Sequence, residues 1–186
     1  MIVFSIGNTK IGRDTAIFNI TPACECMSEK LGLCKIADKC YAKKAERMYK
    51  DSKPFRYRQT AFWDENTIDS FVEYFKAEVL TRNMKYLRFQ ESGDFRTQLD
   101  VDKMSGIAEK LEGIVRCYTY TARRDLDFSN VSDNLVINGS GFMVDNCFYV
   151  IHNETEMIGN YLCKGNCREC NLCKHKLGIY IAVKIH

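Results

Sequence analysis

The densest chemistry in the chain is Cys163-KGN-Cys167-RE-Cys170-NL-Cys173, four thiols within eleven residues. Gaps this short let one wrapped backbone aim several thiolates at a single centre. Gly165 lets that backbone turn tightly without a side-chain clash. A four-thiolate set suits a [4Fe–4S] cluster or zinc. Structural zinc usually draws on two well-separated Cys-x2–4-Cys pairs. Bacterial cluster runs use gaps of two, two and three, and here the gap of three comes first. The knuckle therefore points to an iron–sulfur cluster, with zinc as the alternative.

A second group comprises Cys24, Cys26, Cys34 and Cys40, with gaps of one, seven and five. A single-residue gap aims neighbouring side chains apart unless the backbone turns, which Pro22 and the surrounding loop allow. Cys40 falls near the start of a predicted helix, where free N–H groups favour a thiolate or an anionic cluster. We expect a second four-ligand site there. Cys117 and Cys147 lie in apolar, strand-like contexts and read as buried small hydrophobes. His152, His175 and His186 are scattered. His175 is close enough to Cys173 to line its rim, but it reads as a solvated turn residue. No zinc-protease helix motif, phosphate loop or hydrolytic triad order is present.

Ten cysteines would suit a disulfide scaffold only in an oxidising compartment. The N-terminus has no basic region followed by a long apolar stretch, so it does not read as a signal peptide. No run is long enough to cross a bilayer. A cytoplasmic protein with metal-ligating thiols is the expectation. Hydrophobic residues make up 46% and charged residues 27%, which argues against disorder. The net charge of +3 is too small for a global nucleic-acid footprint, although Lys35, Lys39, Lys43, Lys44 and Arg47 fall close together. Beside a cysteine group such cations also balance thiolate charge.

The elements that must position these groups alternate. Strands are predicted at 2–6, 15–21, 86–91, 114–122 and 135–140. Helices are predicted at 37–49 with Asp38 as a cap, at 67–83 with Asn66 or Thr67 as a cap, and at 100–111, ended by Gly113. Pro54 marks a break. Residues 142–158 suggest a hairpin through CFYVI, and a last strand from 178 would pair at a sheet edge or close it. The alternation predicts one α/β domain over 1–186, an open, mainly parallel sheet or partial barrel with flanking helices. The cysteine-rich segments 22–41 and 161–175 lie towards its two ends. A complete eight-stranded barrel would need about 250 residues. Ligands of parallel sheets sit beyond the carboxyl ends of strands. The polar residues recurring there make Gln90, Glu91, Arg123 and Asn138 candidates for contacting a substrate or cofactor.

The run NITPAC…GLC…CYAKKAE, followed by LRFQESGDF, resembles the phage-associated gene product 88 domain family over about Ile2 to Ile185. The matching positions are Cys40, Tyr41 and Ala42, then Arg88 and Phe89, then Ser92, Gly93, Asp94 and Phe95, and finally Cys163, Cys167, Cys170 and Cys173. The resemblance implies a truncated relative of the radical S-adenosylmethionine barrels, an iron–sulfur protein, and a viral protein in a host cell. Cys163, Cys167 and Cys170 also follow the Cys-x3-Cys-x2-Cys pattern of those radical enzymes. Here that pattern comes late in the chain, and Cys173 stands ready to fill the position those enzymes leave open.

Three functions compete. The leading one is a ferredoxin-like one-electron carrier with two [4Fe–4S] clusters and a redox partner protein. The second is a radical S-adenosylmethionine-like enzyme with one catalytic and one auxiliary cluster. The third is a zinc-stabilised nucleic-acid module in which Lys35, Lys43, Lys44 and Arg47 meet phosphates.

Overall fold

The computed structural model describes residues 3–79 and 82–184. Strand β1 (Ser5–Ile6) pairs antiparallel with β2 (Thr15–Phe18). From β2 onward every pairing is parallel. The order runs through β3 (Tyr86–Phe89), β4 (Arg116–Thr121), β5 (Leu135–Ser140) and β6 (Asn146–Ile151) to β8 (Tyr180–Lys184) and the short β7 (Tyr161–Leu162). Four helices lie between β2 and β3: α1 (Met27–Lys30), α2 (Tyr41–Met48), α3 (Ser52–Glu65) and α4 (Ile68–Val79). One more, α5 (Gln98–Lys110), connects β3 to β4. The chain is thus an open, mostly parallel α/β sheet with flanking helices.

Residue-by-residue register gives the sheet two chemically distinct faces, because strand side chains alternate. Phe18 pairs with Phe89, Leu87 with Cys117, and Cys117 with Leu135, so these share one face. That face meets the helices in a core built around Trp63, Phe71, Phe75, Met104, Ile107 and Leu111. Phe71 lies edge-on to Phe18 at 4.9 Å between ring centroids, a favoured aromatic geometry. Each such buried side chain contributes about 2–3 kcal/mol by removal from water. The opposite face carries Tyr86 and Arg88, Tyr118 and Tyr120, then Asn138 and Asn146.

Several expectations are corrected. The predicted helix over 37–49 is split: a 3-10 turn covers Ala37–Lys39, and Cys40, not Asp38, caps α2. Pro54 breaks nothing, since it sits in the first turn of α3, where its missing N–H has no helical partner to lose. Thr67 does cap α4, its hydroxyl accepting the Ser70 N–H at 3.2 Å; the predicted continuation through 80–81 lies outside the described residues, as does the predicted strand's start at Ile2. No hairpin forms at 142–158. Instead β6 lies parallel to β5 after a link of only five residues. Asp145 makes this possible, because its carboxylate accepts the Ile137 N–H (2.8 Å) while its own N–H donates to the Ile137 carbonyl (3.1 Å). Gly139 is required beneath the link, since a Cβ there would lie 2.2 Å from the Phe142 carbonyl oxygen. The last strand is also not at an edge: β8 runs between β6 and β7.

One polar network ties α3 to α5 at the rim of the core. The buried Asp100 accepts from the Trp63 indole N–H (2.8 Å) and from Arg96, which also clasps Asp64. Burial pushes the Asp100 carboxyl up, but the bonds from Arg96 and Trp63 outweigh it and hold the group below its ordinary value. A depressed folded value adds stability above the unfolded carboxyl pKa of about 3.9, and that stability is lost as pH falls through the folded value. We expect Asp100→Asn to destabilise the fold by about 2–4 kcal/mol at pH 7. The deficit relative to wild type should shrink at pH 3; thermal unfolding followed by circular dichroism at both pH values checks this.

Candidate metal centres

The C-terminal cysteines are carried onto the polar sheet face by β7. Cys163 extends the β7–β8 ladder, its N–H donating to the Ala182 carbonyl at 2.8 Å. The following turn is then fastened from below. Asn138 donates to the Cys173 carbonyl (3.0 Å) and Asn146 to the His175 carbonyl (2.8 Å). The Arg168 N–H reaches the Lys10 carbonyl (3.2 Å). The Lys174 ammonium lies 3.7 Å from the centre of the Tyr86 ring. Cys163, Cys167, Cys170 and Cys173 all line one cavity, closed on the sheet side by Tyr118, Tyr120 and Ile181.

Electrostatics inside this cavity disfavour free thiolates. Burial, reinforced by the neighbouring thiols, pushes the Cys173 thiol up to about 12. Burial also raises Cys167, against the opposing field of Arg88. A cationic metal centre reverses this balance, because it stabilises the deprotonated ligands. Among the described residues, no three His, Cys, Asp or Glu side chains converge on a single metal-ion position. The four thiols ring a space instead.

The N-terminal group stands at the carboxyl ends of the parallel strands. Glu46 of α2 accepts the N–H of Ala23 (2.6 Å) and of Cys24 (3.2 Å). Its carboxylate is paired with the buried Arg56 at 2.8 Å, and Arg56 also donates to the Ala42 carbonyl (3.1 Å). This fixes the loop leaving β2 against α2 and α3. Ser28 contacts two of these cysteines: its hydroxyl is 3.1 Å from Cys26 Sγ, and its carbonyl accepts the Cys34 backbone N–H at 3.1 Å. Cys34 and Cys40 lie within Coulombic reach of each other, and Lys43 within reach of both Cys26 and Cys40. Burial raises the Cys26 and Cys34 thiols. Cys24 differs. It is exposed, and its Sγ lies 3.7 Å from the Tyr57 hydroxyl, which donates to Glu25 (2.6 Å). The structure thus places Cys34 near Cys40 and turns Cys24 towards α3.

The residues expected to contact a ligand are placed as follows. Gln90 is buried in the left-handed region (φ 58°), with its amide against the Thr119 hydroxyl at 2.8 Å. Arg123 is buried, paired with Asp125, and donates to the carbonyls of Phe95 and Arg96. Asn138 bridges Thr119 and Cys173 while accepting from Asn146. Glu91 offers its backbone carbonyl to the Tyr41 hydroxyl (2.6 Å). Cys117 and Cys147 are buried in apolar surroundings, where burial raises both thiols. His152 and His175 are exposed, and His186 lies outside the described residues.

Asp94 is a site residue that the spacing of the cysteines does not reveal. It is buried within Coulombic reach of Cys26 and Cys34, and burial pushes its carboxyl up. Thr121 (2.6 Å), the Ala122 N–H (2.8 Å) and the Phe95 N–H (2.8 Å) hold it in place. Its approach depends on Gly93, whose φ is 74° and whose absent Cβ would fall 1.9 Å from Thr21 Oγ1.

An open parallel α/β sheet with one thiol group at its carboxyl end and another on its uncovered face defines the general class. Within it, the chain belongs to the gene product 88 family, whose sequence model matches residues 3–158. That match includes Cys24 to Cys40 and the 86–95 strand and turn. It ends before Cys163, so the expected extent to Ile185 is shortened and the knuckle lies outside it. No curated protein and no solved structure matches the chain.

Gly93 and Gly113 share φ 74°, but a Cβ at Gly113 would meet nothing within 4 Å. Gly93→Ala should therefore cost about 3 kcal/mol or more, whereas Gly113→Ala should cost only about 1–2 kcal/mol. Urea unfolding of the two variants measures the difference.

Proposed function

We propose that this chain is an iron–sulfur protein that holds two [4Fe–4S] clusters and acts as a one-electron carrier in a ferredoxin-like role. The observation that carries this reading is the single cavity lined by Cys163, Cys167, Cys170 and Cys173. Cys24, Cys26, Cys34 and Cys40 supply the second centre. When bound, such clusters supply reversible one-electron chemistry, and the surrounding protein tunes their potential. Tyr118, Tyr120 and Ile181 exclude water from the knuckle side. Lys174 and Lys43 bring positive charge to the two thiol groups. The partner is a redox protein, and the setting is a viral protein in the cytoplasm of a host cell.

A second reading rests on a different observation. Cys24 is turned towards Tyr57, which leaves Cys26, Cys34 and Cys40 beyond the carboxyl ends of the strands. A cluster held by three thiolates keeps one iron open, as in the radical S-adenosylmethionine enzymes, and S-adenosylmethionine is then the ligand for that iron. In this reading the knuckle is auxiliary.

Anaerobically purified protein should contain about eight irons and eight sulfides per chain. Cys34→Ser and Cys170→Ser should each lose about half of both; Cys24→Ser should do the same if four thiolates hold the second cluster, and should keep the full content if three do. S-adenosylmethionine should leave the electron paramagnetic resonance of the reduced protein unchanged if it is a carrier, and should perturb it if one iron is open. Stoichiometric zinc without iron or sulfide would refute both readings.

A further inference from the structure

Arg88 stands between the two thiol groups. It projects from β3 onto the sheet face that the knuckle covers, and its guanidinium lies 5.2 Å from the centroid of the Tyr120 ring. Tyr120 lines the knuckle cavity beside Cys173. On its other side Arg88 donates through Nη2 to the Tyr41 hydroxyl at 3.3 Å. Tyr41 follows Cys40 in the chain and anchors itself on the Glu91 carbonyl. A continuous path of contacts therefore runs from Cys40 through Tyr41, Arg88 and Tyr120 to Cys173.

The charge on this path is unpaired. Arg88 takes part in no ion pair among the described residues, and its buried Nε–H has no hydrogen-bond partner among them. A cation held away from water requires negative charge nearby. Glu91 supplies part of that charge, and the thiols that metal binding would deprotonate supply the rest, with Cys167 feeling the field of Arg88 directly.

We propose that Tyr41, Arg88 and Tyr120 form one cationic bridge between the two thiol centres, and that Arg88 raises the reduction potential of both together. The proposal rests on the iron–sulfur reading above. Reduction adds one electron to an already anionic centre, so a shared cation favours the reduced form of each. Arg88 acts as a positioning and tuning residue, not as a ligand.

The test uses the full chain purified without oxygen. Iron and sulfide are quantified first, and then wild type, Arg88→Met and Arg88→Lys are titrated with dithionite and followed by electron paramagnetic resonance. The Cys34→Ser and Cys170→Ser variants assign the two signals. Arg88→Met should keep its iron and sulfide while both midpoint potentials move to more negative values, and Arg88→Lys should return both towards wild type. A shift at one centre only, or at neither, overturns the bridge while the iron–sulfur reading stands. Wild type lacking iron and sulfide overturns that reading and the bridge with it. Should Arg88→Met fail to fold, Tyr41→Phe removes a single hydroxyl from an exposed side chain. It should shift the potential of the N-terminal centre, and unchanged potentials would then overturn the bridge.

Discussion

A parallel sheet must be covered on both faces, and this requirement organises the molecule. Helices α3, α4 and α5 bury one face beneath an aromatic and aliphatic core. The other face mixes apolar residues such as Ile17, Val136 and Ile181 with Tyr86, Arg88, Tyr118, Tyr120, Asn138 and Asn146. Such a face needs a cover that can answer hydrogen bonds, and a backbone-rich knuckle does so. Asn138 and Asn146 each seize a carbonyl of the 163–175 segment. The thiols thus arrive at the sheet as part of the solution to a packing problem. Whatever orders the knuckle consequently also closes this face of the sheet.

The N-terminal group is held by a different device. A buried ion pair is costly unless its remaining valences are filled. Arg56 and Glu46 fill theirs with the Ala42 carbonyl and with the N–H groups of Ala23 and Cys24. The pair converts the rigidity of two helices into a fixed starting direction for the cysteine loop. The family match reaches this device and the strands through β6, and stops before the knuckle and β8. The portion that covers the second face therefore lies beyond the matched region.

Periodicity made most of the fold legible. The apolar positions of α4 and α5 recur at helical spacing, and Gly93, Gly113 and Thr67 punctuate the chain as local rules require. What escaped were features settled by distant partners. CFYVI reads as half of a hairpin because short links usually reverse a strand, and only Asp145 clamped onto Ile137 explains the parallel outcome. Arg123 and Asn138 read as ligand contacts because they are polar residues at strand ends. In the structure their atoms are engaged by Asp125, Phe95, Thr119 and Cys173, since buried polar groups find partners wherever the fold supplies them. Cys24 looks equivalent to Cys26 in the sequence, and its turn towards Tyr57 becomes visible only once α3 is in place.

The disposition of positive charge weighs between the functional classes. A nucleic-acid surface would spread its cations over solvent, where phosphates are met. Lys35, Lys39, Lys44 and Arg47 are indeed exposed. The more constrained cations point elsewhere. Lys43 is paired with Glu29 and lies within reach of Cys26 and Cys40. Lys174 is packed on Tyr86 within reach of Cys167, Cys170 and Cys173. Arg88 is held between two tyrosines. Withdrawing a cation from water is costly, so it persists where a compensating charge is supplied. The neighbouring groups include both carboxylates and thiols: Glu29 beside Cys26 and Cys40 for Lys43, Asp14 beside the knuckle thiols for Lys174, and Glu91 with the tyrosines for Arg88. These more constrained cations thus sit among the cysteines and nearby carboxylates, whereas Lys35, Lys39, Lys44 and Arg47 face solvent.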